Sequence, residues 1–206
     1  LNNKTIKLQN INPQQFYKKF CSVNLDDYVM VGNVPLTNKP YYKKFRRSYS
    51  DSIESKSFSE YINLPFEEFQ ELCITQLKNN MPVLFSCENR KYRNLTSTVL
   101  DTRLFDYEKY LGVKDMSKSQ ALESFDITLR HLMVFRGVHI ENGKPVRWKV
   151  EDSCGEENRI HGYYVMNQNF FEKCVCQACI HKSFLSKKQL DVANSKPILC
   201  SYRGLI

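Results

Sequence analysis

Asn142-Gly143 sits between two apolar-rich runs, HLMVFRGVHI from His131 and PVRWKVEDSCG ending at Gly155. Asn-Gly is the strongest short hairpin signal, because a type I′ turn needs positive φ at both central residues. A two-residue loop at 142–143 sets the register. Glu141 then faces Lys144, Phe135 faces Val150, Met133 faces Asp152 and His131 faces Cys154. Strand side chains alternate between faces, so His131 and Asp152 lie on one face as diagonal neighbours, roughly 7–8 Å apart at the backbone. Val146, Trp148, Val150 and Phe135 share that face. Arg136, Arg147 and Lys149 point the other way, among Val134 and Val138. A one-residue slip would bury those cations, so the register is well specified.

A carboxylate beside an imidazole is the orienting half of a nucleophile–base–orienter arrangement. The same pair also occurs as a satisfied polar contact with no catalytic role.

The stretch from Ile11 to about Pro197 carries several further strings: Pro13-Gln14-Gln15-Phe16-Tyr17, Met81-Pro82-Val83-Leu84-Phe85-Ser86-Cys87, Leu104-Phe105-Asp106-Tyr107 followed by Met116-Ser117-Lys118, Arg130-His131-Leu132-Met133, Trp148 to Gly155, His161-Gly162-Tyr163 and Phe170-Phe171. Together they resemble the C-terminal half of bleomycin hydrolase and aminopeptidase C, which are papain-like cysteine peptidases. The resemblance implies that His131 is the catalytic general base and that Asp152 stands at the Asn orienting it. It implies hydrolysis of peptide or amide substrates through an acyl-enzyme, no cofactor or metal, and a homo-oligomer, hexameric in the family. Two positions depart from the family pattern. Asp152 replaces a neutral Asn, and Cys154 replaces a shielding Trp. A carboxylate at 152 favours the imidazolium by charge, which a neutral amide does not.

The family's nucleophilic Cys and oxyanion Gln belong to an N-terminal half, and no Q-x5-C-x-x-C-W-like string occurs here. Cys154 lies on a strand without a helix N-terminus to activate it, and Cys87 aligns with a family Cys that is not the nucleophile. The thiol is therefore expected from a missing N-terminal partner, and this chain alone is expected to be inactive. The chain opens on Leu1, which reads as a C-terminal fragment or a decayed gene product. The expected division is an insertion or helical part at 1–80, a β-rich lobe at 81–195 bearing His131 and Asp152, and a C-terminal arm at 196–206. The tail ILCSYRGLI keeps Leu199 and Tyr202 near the family's P-x-W run but not its ending, so exopeptidase selectivity is less secure than peptidase ancestry.

Net charge is +8, and the densest basic run is KPYYKKFRRSY from Lys39 to Tyr49. Cations with interleaved rings suit single-stranded nucleic acid. A strand edge protected by Lys and Arg reads the same way and is preferred. The alternative function is a non-catalytic remnant acting as an interaction or nucleic-acid-binding module. Eight cysteines without a secreted framework suit a reducing cytoplasm. No run approaches the ~18 apolar residues of a membrane span, and the sequons at Asn3 and Asn94 read as chance. Cys174, Cys176, Cys179 and His181 resemble a metal cluster. On a strand the first two face away from the last two, so buried thiols are the preferred reading.

The remaining pattern is α+β. Helices are expected at 13–21 and 65–80, the second with a stripe of Phe66, Phe69, Leu72, Cys73 and Leu77. Another runs from a Ser119 cap to about Leu129, and two more cover 167–173 and the stretch after Ser186. Strands are expected at 28–34, 82–87, 162–166 and 174–182, with no clear period over 37–60.

Overall fold

The computed structural model describes residues 7–47, 60–153, 155 and 161–200. Cys154, the Asn3 sequon, Ser48 and Tyr49 of the basic run, and Tyr202 lie outside these residues.

Helix α1 spans Pro13–Phe20 and starts where Asn12 and Gln15 form a reciprocal capping box. Strands β1 (Tyr28–Gly32), β2 (Lys43–Arg47) and β3 (Glu60–Asn63) follow. The expected blank over 37–60 is thus corrected. Phe45 and Tyr61 alternate inward from β2 and β3 and stack at 5.7 Å, but the runs are too short to show a period. Helix α2 (Phe66–Lys78) starts after Pro65 and buries Phe69, Leu72, Cys73, Ile74 and Gln76. Strand β4 (Val83–Cys87), the short strands β5 (Arg93–Asn94) and β6 (Val99–Leu100), and helices α3 (Tyr107–Leu111) and α4 (Lys118–Glu123) come next. The α4 cap is Ser117, not Ser119. Gln120 stands three residues after Ser117 and completes the capping box that position 119 could not. The helix ends at Glu123, short of the expected Leu129.

The hairpin strands are β7 (His131–Glu141) and β8 (Lys144–Glu151). Strand β9 (Tyr163–Asn167), helix α5 (Gln168–Cys174), strand β10 (Val175–His181), helix α6 (Lys187–Ala193) and strand β11 (Ile198–Cys200) complete the order. Helix α6 starts with the expected Ser186 cap, boxed with Gln189.

Among the described residues, eleven strands form one sheet in the order β11-β2-β3-β1-β10-β4-β7-β8-β9-β6-β5. Three pairs are parallel, β1/β3, β2/β11 and β6/β9. Strands from 28–63 and from 83–181 share this sheet, so the part expected as an insertion contributes β1 to β3 to it. The α+β arrangement is as expected.

The hairpin register starts as the Asn-Gly turn dictates, with Glu141 opposite Lys144. Asn142 and Gly143 both have positive φ, 51° and 77°, as a type I′ turn needs. Two irregularities then occur. Val146 is an extra residue on β8, and Arg136 is an extra residue on β7. Each shifts the pairing by one, in opposite senses, so Phe135 again meets Val150. Between them Val138 meets Trp148 and packs against the core. This corrects its expected outward placement: the bulge at Arg136 inverts the alternation locally.

The core beneath the hairpin is aromatic. Phe85 and Phe135 stack at 3.7 Å and 7°, and Trp148 and Phe171 at 4.3 Å and 6°. Phe171 also meets Phe69 of α2 at 5.8 Å, tying both helices to the hairpin. Gly32 is required by close approach. A Cβ there would lie 2.7 Å from the Tyr61 ring and 3.3 Å from the Cys176 carbonyl. Lys118, in the M-x-K string, donates to Asn33 Oδ1 at 2.8 Å and to the Val175 carbonyl at 2.7 Å. Burial pushes its amine below the ordinary lysine value.

Candidate active site

His131 opens β7, flanked by β4 on one side and β8 on the other. Its Cα partner on β4 is Cys87. Asp152 follows the last residue of β8, and its backbone N–H donates to the Gly162 carbonyl at 3.0 Å. Gly162 has φ +82°, a conformation that L side chains rarely adopt. Because the two bulges cancel, alternation brings His131 and Asp152 to the same face, as the turn chemistry predicts.

His131 Nε2–H donates to Asp152 Oδ1 at 2.8 Å. The same oxygen accepts the Ser153 backbone N–H at 2.8 Å. The Asp152 side chain is 1% exposed and that of His131 26%. The carboxylate is thus sealed while the imidazole reaches solvent. Among the described residues, His131 Nδ1 carries no hydrogen bond. A ring fixed through Nε2 presents Nδ1 for proton exchange. An imidazole held through one ring nitrogen by a carboxylate, with the other nitrogen open, is an arrangement capable of general-base chemistry.

Among the described residues, the buried cysteines of this region do not supply a nucleophile. Cys87 is fully buried. Burial first, then the nearby Cys174, Cys176, Glu88 and Asp152, push its thiol well above the ordinary value. It stays protonated and unreactive at neutral pH. Cys174 ends α5 rather than opening a strand, and a register shift falls between Val175 and Gln177. The expected alternation therefore does not run through Cys174. Cys174 and Cys176 are both fully buried, and burial raises both thiols. Among the described residues, no group of three or more His, Cys, Asp or Glu side chains could hold a metal ion.

One neighbouring pair was not singled out from the sequence. Glu88 and Arg130 lie one residue beyond Cys87 and His131 on the same two segments. Glu88 is buried and accepts the Arg90 backbone N–H at 2.8 Å. Arg130 Nε lies 3.4 Å from its other oxygen. Their adjacency to the two paired residues is the signal that could have found them.

The basic run is largely committed within the fold. Lys44 and Arg46 both pair with Glu60, Phe45 is 1% exposed and Lys39 is buried. The Tyr42 ring lies under Lys188 Nζ, 3.1 Å from its centroid. Of the described rings of the run, Phe45 is buried and Tyr42 is covered by Lys188, while Tyr41 is exposed. Strand β2 has β11 on its outer side, so it is one strand in from the sheet edge. Among the described residues no helix is long and apolar enough to cross a membrane.

The Peptidase C1-like family model matches residues 2–202. The chain is 33% identical over 194 residues to "Aminopeptidase C" of Lactobacillus delbrueckii subsp. lactis, covering 92% of this chain and 43% of that protein. It is 30% identical over 189 residues to "Aminopeptidase C" of Listeria monocytogenes, covering 91% and 43%. The crystal structure of PepW from Lactobacillus rhamnosis HN001 superposes with a TM-score of 0.89 at 29% identity, covering 95% of this chain and 45% of that one. The chain thus spans less than half the length of the relatives it matches.

Proposed function

Because this chain belongs to the Peptidase C1-like family, we propose that it is the base-bearing part of a cysteine-type aminopeptidase that hydrolyses peptide and amide bonds. It carries the C-terminal part of the papain-like α+β fold. The observation that supports the reading is the 2.8 Å contact from the half-buried His131 ring to the sealed Asp152 carboxylate.

In this reading the nucleophilic thiolate comes from a segment that this chain does not span. The thiolate attacks the scissile carbonyl carbon. The C–N bond then breaks as His131 Nδ1–H delivers its proton to the departing amine. Water attacks the resulting thioester, Nδ1 takes its proton, and the acid and thiolate are released. Asp152 keeps the ring oriented throughout and stabilises its charged form. A reducing compartment such as the cytoplasm suits a chain whose described cysteines are all free.

The test is reconstitution. The chain is mixed with the N-terminal segment of an aminopeptidase C relative and assayed on an aminoacyl fluorophore. Turnover is expected only in the mixture and is lost with His131→Ala. Turnover that survives His131→Ala, or a folded complex with no turnover, refutes the assignment.

A further inference from the structure

Residues 105–117 are all exposed. Six of them are large and apolar: Phe105, Tyr107, Tyr110, Leu111, Val113 and Met116, from 36% exposed at Met116 to 76% at Tyr110. Single exposed apolar side chains are ordinary, but a run of them marks an interaction surface. The run is nonetheless structured. Helix α3 starts where Asp106 Oδ1 accepts the Lys109 backbone N–H at 3.1 Å, and it stops at Gly112 with φ +65°. Short helices draw their stability from packing, yet α3 buries none of its residues.

Both ends of the run are tied to the fold. Upstream, Asp101 accepts from Asn167 and Asn169. Downstream, Asp115 pairs with Lys173, and Lys118 holds Asn33 and the Val175 carbonyl. The downstream end leads to His131. Met116 Sδ accepts from the Ser124 hydroxyl at 3.7 Å, and Phe125, next along, is 54% exposed. Asp126 pairs with Lys91, and Thr128 Oγ1 donates to Glu88 at 3.3 Å. The Arg130 backbone N–H donates to the Cys87 carbonyl at 3.3 Å, and Cys87 faces His131 across the ladder. An unbroken string of contacts thus joins the apolar run to the imidazole.

We propose that 105–116 and Phe125 form the docking surface for the thiol-bearing segment that completes the site. The proposal rests on the peptidase reading, in which a thiolate from outside this chain comes within reach of His131. A segment that places it there lies against the surface leading to His131. The aminopeptidase C relatives carry more than half their length outside the matched part, which is chain enough to cover the run. The face it meets is apolar, with Glu108, Lys109 and Lys114 at its margin, the usual make-up of a stable protein–protein contact.

Calorimetric titration of the 206-residue chain with the N-terminal segment of an aminopeptidase C relative tests it; where that segment dissolves only when co-expressed, co-purification through a tag on it gives the same comparison. Tyr110→Ser combined with Leu111→Ser is expected to weaken association at least tenfold, the loss of two buried apolar side chains. The urea midpoint of the chain alone is expected to stay unchanged, since both side chains face solvent in it. Leu199→Ser, on the outermost strand β11, is expected to leave association unchanged. Association that needs Tyr110 and Leu111 but gives no turnover supports this surface and counts against the catalytic reading. Turnover at unchanged affinity in the double variant overturns this surface and leaves the catalytic reading standing. Lack of association also overturns it, as does self-association of the chain alone that the double variant abolishes, which would make a second copy the occupant.

Discussion

Cys87 and His131 are direct partners across the β4–β7 ladder, yet the thiol is fully buried while the imidazole is 26% exposed. The cysteine paired with His131 in the sheet is therefore part of the core. A disulfide-forming thiol reagent added to the native chain is expected to modify the exposed Cys21 rapidly. Cys87, Cys73, Cys174 and Cys176 are expected to react only with unfolding, since each is buried with its thiol raised by that burial. Native-state labelling of Cys87, read by peptide mass spectrometry, contradicts this placement.

Asp152 distinguishes this site from one oriented by a neutral amide. Asp152→Asn keeps the hydrogen-bond acceptor and removes the charge. In the reconstituted enzyme turnover is expected to persist, because the amide oxygen still accepts from the ring. Asp152→Ala also removes the orientation and is expected to lower kcat by orders of magnitude more than Asp152→Asn. Equal losses of turnover in the two variants argue that Asp152 does not orient the ring.

Asp101 anchors the loop after β6 to the β9–α5 junction. Burial pushes its carboxyl up. Hydrogen bonds from Arg103, Asn169 and Asn167 outweigh this and hold it at about 2, below its ordinary 3.8. A depressed folded-state value contributes stability above the unfolded value, and that contribution disappears as pH falls from about 4 through about 2. Asp101→Asn is expected to cost roughly 1–3 kcal/mol at neutral pH and to flatten the acid limb over that window. Urea denaturation at a series of pH values measures both; parallel curves for the two proteins refute the assignment.

Phe171 holds the helices to the hairpin, with its ring 4.3 Å from Trp148, 5.6 Å from Phe135 and 5.8 Å from Phe69. Phe171→Ala is expected to cost about 3–5 kcal/mol, a large part of the ~5–15 kcal/mol of a typical domain. Phe171→Leu is expected to cost less, because more of the volume is kept. Urea midpoints rank the two. Equal, small losses would mean that this aromatic cluster is not what joins α2 and α5 to the sheet.

The parts of the fold legible in the sequence are those set by neighbours in the chain. Asn142-Gly143 specifies a two-residue turn because both residues tolerate positive φ. Ser186 and Gln189 specify the start of α6 through two hydrogen bonds spanning three residues. Ser117, rather than the expected Ser119, caps α4 through the same spacing to Gln120. That signal was local and available.

The Asp101 cluster was not legible. Its amide donors Asn167 and Asn169 come from 66 and 68 residues away. The short strands β5, β6 and β11 were missed for a related reason. Two or three residues carry no period, and only their partners make them strands.

Turn chemistry and side-chain alternation, read from the sequence, determined that His131 and Asp152 share a face. Tertiary structure decided that the contact closes at 2.8 Å, that two opposed bulges cancel before reaching it, and that Cys87 beside it is a buried thiol. It also decided the three parallel strand pairs. Dihedral preferences and alternation act over a few residues and so are written locally. Register shifts, burial and the meeting of distant charges depend on which segments pack together, and that is settled only when the whole sheet forms.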